Sequence, residues 1–403
     1  MKYLILGAGP AGLSFANRLL QNGEQDFIVL EKEKEAGGLC RSVDVEGKPL
    51  DIGGGHFIDA NNLKVLDFLF DVMPEEEWNL FARNSQISLY GRAINSPIEA
   101  NIWQLPIEEQ VLYLKSIAIA GCNLGTAMPE KFVDWIYWKL GRKIAEDYMI
   151  PYNQKMFGED LNILGTYWLQ KLPNVSFEET LLSCLEKRAY GKQPGHARFY
   201  YPKHYGSGEV WKRLAAKIKG HILYGIEINE LDAQKRIVNN QFQADCIINT
   251  IPWMEFKQIT GIGEEQKENI QELRYTSIAV EYVNEGLASD AHWIYCPEQS
   301  LAYHRILLRE NFCPQSKGYW TETNLTRLEP TDRPYRYINK YAYPLNTIGK
   351  PEKIKSILRS FEACNIFGLG RWGEWEHYNS DVVVERAICL ADKLMGVSDR
   401  GYK

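Results

Sequence analysis

Gly7-Ala8-Gly9-Pro10-Ala11-Gly12 carries glycines in the order G-x-G-x-x-G, and Glu31 follows nineteen positions after Gly12. That spacing suits the binding of a dinucleotide. Gly7 permits a tight turn, Gly9 lets the backbone approach a pyrophosphate, and Gly12 lets a helix pack on a strand. The helix N-terminus then offers unpaired N–H groups and a partial positive charge to the phosphates. Glu31 is placed to accept the ribose hydroxyls of an adenosine. Two more glycine clusters follow, Gly37-Gly38-Leu39-Cys40-Arg41 and Gly53-Gly54-Gly55-His56. Glycine is needed where backbone passes close to a large planar ligand, and so many clusters are unusual for a plain NAD domain. No Ser/His/Asp triad or metal cluster can be read from the spacing.

These residues need elements to position them. Tyr3-Leu4-Ile5-Leu6 reads as a buried strand. Leu13, Ala16, Leu19 and Leu20 recur at helical spacing up to Gly23, and Phe27 to Leu30 is the next strand, closed by Glu31. This strand–turn–helix–strand context makes the glycine pattern specific. Leu63, Leu66, Leu69 and Phe70 have helical spacing, Gln86 to Tyr90 is strand-like, and residues 105–190 are largely helical. Dinucleotide-type elements resume over 199–260: a helix through Leu214 and Ile218, an alternating strand at 225–231, and an apolar strand at 244–252. Residues 275–345 alternate strand and turn. Ile366 to Arg371 enters a glycine turn, and Asn379-Ser380-Asp381 reads as the N-cap of a helix from Val382 to Met395. The expected fold class is α/β, a Rossmann-type dinucleotide domain interleaved with a helical insertion and a mixed-sheet substrate domain. The expected domains are a discontinuous dinucleotide unit (1–90, 199–260, 360–403), a helical insertion (91–198) and a β-rich substrate domain (261–359).

The 403 residues suffice for two or three domains, and 45% hydrophobic with 24% charged residues is a globular composition. The net charge of −6 argues against duplex nucleic acid and polybasic membrane binding. The 11 Trp, 23 Tyr and 15 Phe suit a large aromatic core or a pocket for sugars and flat rings. Eight Cys stand singly, without a CxxC pair. Reduced thiols fit an expected cytoplasmic location, and no apolar run reaches the roughly 18 residues of a membrane helix.

Glu31, Gly37 to Ser42 and Asp51 to His56 together resemble the glutathione-reductase-type FAD proteins. That superfamily includes the amine oxidases, protoporphyrinogen oxidase and UDP-galactopyranose mutase. The resemblance implies bound FAD, contacted from the amino-terminal part by Gly7, Gly9, Ala11, Gly12, Glu31, Lys32, Gly38, Leu39, Arg41, Gly54, Gly55 and His56. Ile228, Gly370, Arg371, Ser380 and Asp381 are the implied contacts from later in the chain.

Several segments resemble UDP-galactopyranose mutase in particular. They are Asp51 to Ile58, Arg92 to Pro106, Ile150 to Gly158, Tyr201 to Trp211, Tyr303-His304-Arg305, Tyr341 to Pro344, and Gly370 to Trp375. They run in family order along nearly the whole chain. The resemblance implies a redox-neutral exchange of pyranose and furanose forms of a nucleotide sugar in surface-polysaccharide synthesis, with N5 of reduced FAD attacking the anomeric carbon. NADPH or NADH is the implied reductant. His56, Arg305 and Tyr343 would be catalytic: His56 near the flavin, Arg305 and Tyr343 on the diphosphate. Trp168, Lys171, Arg305, Tyr343 and His377 would bind substrate. The chain also departs from the family. Lys171 stands where the family has an arginine, and Phe312 and His377 stand where it has tyrosines. Two alternatives follow: an oxidoreductase of the amine-oxidase type, and a nucleotide-binding flavoprotein without catalysis. The oligomeric state is not indicated.

Overall fold

The computed structural model describes residues 1–121, 125–169, 175–191, 196–330 and 333–397. Tyr3–Leu6 is apolar and buried at all four positions. It is the central strand of a five-stranded parallel sheet, ordered Ile222–Tyr224, Phe27–Glu31, Tyr3–Leu6, Cys246–Asn249, Ile366–Gly368. Strands of this kind are apolar because helices cover both sheet faces. On one face the helix Pro10–Gln21 packs through Leu13, Phe15, Ala16 and Leu19 against Ser380–Leu394. On the other, Trp253, Phe361 and Trp375 close the core.

A seven-stranded sheet faces this unit, ordered Arg336–Pro344, Tyr275–Val283, Tyr319–Asn324, Arg305–Leu307, Trp293–Tyr295, Ser85–Leu89, Arg92–Asn95. Its last two strands form a hairpin, and Ser85–Leu89 runs parallel to Trp293–Tyr295. The expected boundary at residue 90 therefore falls inside a hairpin turn and is corrected. The hairpin joins the seven-stranded sheet because Ile87, Leu89 and Ile94 bury against the helical block. That block comprises Ile107–Gly121, Phe132–Ile144, a π-helical stretch Ala145–Met149, Ile150–Phe157 and Phe177–Glu186.

Other expected boundaries also move. The helices Glu264–Gln271 and Lys350–Glu362 bury Ile270, Ile354, Ile357 and Phe361 in the core of the five-stranded unit. That unit therefore takes in residues beyond 260 and before 360. The expected strand at 225–231 is another correction. Strand Ile222–Tyr224 ends before Gly225, and only Glu230–Asp232 is paired again, in a small four-stranded sheet. The intervening Ile226 and Ile228 line a cavity instead. The last helix starts at Ser380, not Val382, and the Asn379 side chain does not cap it.

Candidate active site

A cavity of about 340 Å³ lies beyond the C-terminal ends of the parallel strands. This is where open α/β sheets bind ligands. The glycines shape it as their spacing predicts. Gly7 has φ +98°, which L side chains rarely adopt, and a Cβ on Gly12 would lie 2.0 Å from the Gly7 carbonyl oxygen. At Gly9 a Cβ would meet nothing closer than the Gly38 Cα, at 3.9 Å. Gly9 is thus open to the cavity, and it is the N-cap of Pro10–Gln21 with no side chain spent on the cap. The free N–H groups of this helix start face the ligand space, as an anion requires.

Glu31 is buried at the end of its strand. Its Oε2 accepts the Ala8 N–H at 2.7 Å and its Oε1 the Glu33 N–H at 2.9 Å. Each oxygen keeps a second acceptor site, so the fixed carboxylate can still take a ribose hydroxyl. Lys32 turns to Glu255 at 3.2 Å, and Glu255 also holds Lys340 and the Tyr341 hydroxyl across the cavity rim. Arg41 donates Nε–H to the Gly38 carbonyl. Leu39, Ile228 and Ser380 line the cavity. Gly370 packs against Ala11 at the rim, where a Cβ would come within 2.7 Å of the Ala11 Cβ. Asp381 is drawn away to His196, 3.3 Å from its Nε2.

Two basic groups stand at the inner end. Arg371 lines the cavity and gives its N–H groups to the carbonyls of Tyr378 and Ala342. Among the described residues it forms no ion pair, and burial lowers its pKa. A half-buried guanidinium held by carbonyls and lying over the Tyr343 ring at 5.7 Å suits an anionic or strongly polarised ligand group. His56 is 2.9 Å from the Gly54 carbonyl through Nδ1. A carbonyl only accepts, so Nδ1 carries the proton and Nε2 is an acceptor. Burial and the charge of Arg371 push the His56 pKa down to about 4, which keeps the ring neutral. This donor set, the open glycine cradle and the fixed Glu31 fit a flavin dinucleotide.

Next to His56 is a second group of residues. Arg305 and Glu322 face each other on paired strands. The Arg305 Nε and Nη2 both donate to Glu322 Oε2, and Nη2 lies 3.4 Å from the Tyr343 hydroxyl. Burial opposes ionisation of Glu322, but Arg305 and His304 outweigh it and hold its pKa down to about 2. The His377 ring lies 4.7 Å from Tyr343. Tyr152 lies edge-on to Tyr295 at 5.3 Å, and the Arg305 charge acts on its hydroxyl.

Arg305, Tyr343, His377 and His56 are therefore brought together. Trp168 spends its indole N–H on the Gly165 carbonyl and packs on Phe132 in the helical core. Phe312 is fully buried among Phe57, Tyr201 and Trp320. Lys171 lies outside the described residues. Sequence reasoning missed Glu322. No local signal marks it: Thr321-Glu322-Thr323-Asn324 reads as a polar stretch, and only the strands flanking it on both sides bury the carboxylate. Among the described residues no group of acidic, His and Cys side chains is arranged to hold a metal ion, and no helix is long and apolar enough to cross a membrane.

Comparison with known proteins defines the class first. Residues 5–71 match the model of an NAD(P)-binding Rossmann-like domain. A Baeyer-Villiger monooxygenase of Pseudomonas aeruginosa is 36% identical over 90 residues, which are 22% of this chain and 15% of that enzyme. The whole chain then has the fold of UDP-galactopyranose mutase. The reduced form of that enzyme superposes with a TM-score of 0.87 at 22% identity, covering 98% of this chain and 94% of the mutase. A protein of Exiguobacterium sp. 255-15 assigned as a protoporphyrinogen oxidase gives 0.70 at 13% identity, covering 98% and 99%.

Proposed function

We propose that this chain is an FAD-dependent enzyme that interconverts pyranose and furanose forms of a nucleotide sugar. The observation that carries the reading is the junction at Gly54 to His56. There the dinucleotide-shaped cavity meets the Arg305–Tyr343 cluster, joined by the Gly55 N–H to Glu322 contact of 3.3 Å. FAD, when bound and reduced, supplies the nucleophile for the anomeric carbon, and the sugar isomerises without net oxidation. Gly9 and the following helix start hold the pyrophosphate, and Glu31 holds the adenosine ribose. Arg371 supplies positive charge at the inner end. His56 presents a neutral Nε2 acceptor there, able to hold a proton-bearing atom in place. Arg305 and Tyr343 bind the diphosphate of the sugar nucleotide, orienting the anomeric carbon and stabilising the departing charge.

A second reading is an oxidoreductase of the amine-oxidase type. It is favoured by Phe312, whose burial among three rings leaves no donor where the family has a tyrosine. Incubation with a panel of nucleotide sugars, with and without dithionite, separates the two. A mutase converts UDP-galactopyranose only when reduced and consumes no stoichiometric reductant. An oxidase is reduced by its substrate and makes peroxide in air. Failure of both, with nucleotide affinity retained, would leave a binding protein.

A further inference from the structure

We infer that Glu322 is an internal counter-ion of the Arg305 clamp, holding the guanidinium at the His56 loop and competing with an incoming diphosphate for it. The inference rests on the reading of Arg305 as a diphosphate-binding group. Glu322 is fully buried and faces Arg305 across two adjacent strands. Both Arg305 N–H groups converge on one oxygen, Oε2. A fork that matches each N–H to its own oxygen is the stronger and more specific pairing. A diphosphate can offer Arg305 that fork, and Glu322 in its present pose does not. The pairing is therefore one that a better acceptor can displace.

The carboxylate has other holders. Its Oε1 accepts the Gly55 N–H, and a Cβ on Gly54 would come within 2.4 Å of the same oxygen. The loop beside His56 is thus shaped around Glu322. On the Oε2 side stands His304, 1% exposed, with Nε2 3.6 Å away and neither ring nitrogen in a hydrogen bond. When Arg305 turns to a ligand, the Gly55 N–H and the His304 ring remain to hold the charge. Glu322 therefore tunes the clamp: a neutral ligand leaves the pair intact, and an anionic one breaks it.

The test is titration of inorganic pyrophosphate into FAD-saturated wild-type protein, Glu322→Gln, Arg305→Ala and the double variant. Flavin absorption verifies each protein. Glu322→Gln should bind pyrophosphate roughly fivefold tighter or more, because the guanidinium loses its rival charge. The gain should vanish in the Arg305→Ala background. Equal or weaker binding by Glu322→Gln overturns the inference, as does a gain that survives Arg305→Ala or no measurable binding by both wild-type protein and Glu322→Gln. Should Glu322→Gln not fold, a crystal structure of wild-type protein with pyrophosphate decides. Arg305 must be found on the phosphate, with Glu322 kept by Gly55; Arg305 still on Glu322 overturns it. Turnover of UDP-galactopyranose by wild-type protein judges the mutase reading separately.

Discussion

A Cβ on Gly9 has open space around it, so Gly9→Val should fold and still exclude the pyrophosphate. We expect a soluble, colourless protein. Full flavin occupancy, read as the ratio of visible to ultraviolet absorption, would contradict that. Arg305→Ala acts in the second cluster. Loss of a charge-assisted contact should weaken UDP binding by about 1.5–3 kcal/mol, roughly 10–150-fold, with the flavin spectrum unchanged. The variant also leaves the buried Glu322 carboxylate to the Gly55 N–H and His304 alone, without a cationic partner, so its Tm should fall as well. A calorimetric titration with UDP and a melting curve check both outcomes, and unchanged UDP affinity would remove Arg305 from the site. His56 is expected to contribute no ionisation to rate profiles between pH 5 and 9, since its pKa lies at about 4. A kinetic pKa near 6.5 that disappears in His56→Ala would show the ring to be exposed.

Among the elements, the join between Phe132–Ile144 and the π-helical stretch controls where Tyr148 and Tyr152 stand. Gly141 breaks the helix with φ +76°, and a Cβ there would lie 2.4 Å from the Ser116 carbonyl oxygen. Gly141→Ala should lower stability by about 1–3 kcal/mol and shift both tyrosines relative to Tyr295. A melting curve and a raised UDP dissociation constant measure the two effects; an unchanged Tm would show that the kink relaxes freely. Local elements of this kind differ in how well the sequence announces them. The first strand, helix and strand were legible because glycine spacing, apolar period and Glu31 all agree. The stretch from Gly225 was not, because the alternation at Ile226 and Ile228 also arises when two isoleucines of an irregular segment face a cavity. The strand at Gln86 to Tyr90 was legible, but its pairing with Trp293–Tyr295 is a contact across some two hundred residues that no local pattern encodes. Glu322 was overlooked for a related reason: its burial comes from neighbouring strands distant in the chain, and the same residue on an edge would be solvated.

Across the whole molecule, acidification sets buried groups against one another. Burial lowers both His56 and His292 to about 4. Their unfolded pKa of about 6.5 is higher, so the unfolded state takes up protons first and stability falls as pH drops from 6.5 through 4. Asp51 works oppositely. Burial raises it to about 6 despite donors from Ser42, Tyr201 and Ser207, so the folded state gains stability as pH falls from 6 toward 3.8. Glu322 and Glu255, both held at about 2, withdraw stability only below the unfolded glutamate range. The Tm should therefore decline between pH 6.5 and 4, and Asp51→Asn should steepen that decline. A slope no steeper in the variant would show that Asp51 is already ionised throughout.

The parallel sheet is assembled from strands scattered along the chain, with Ile366–Gly368 pairing onto Cys246–Asn249 from near residue 370. Arg371 and Ser380 reach the cavity from beyond that last strand. During synthesis, a ribosome that has released the first three hundred residues has therefore exposed an unpaired strand edge and an unfinished cradle. Non-local pairing of this kind is slow and prone to aggregation while it waits. Completion of the cradle thus waits for the segment from Ile366 to Ser380, and the nascent protein depends on whatever shields that edge until this segment emerges.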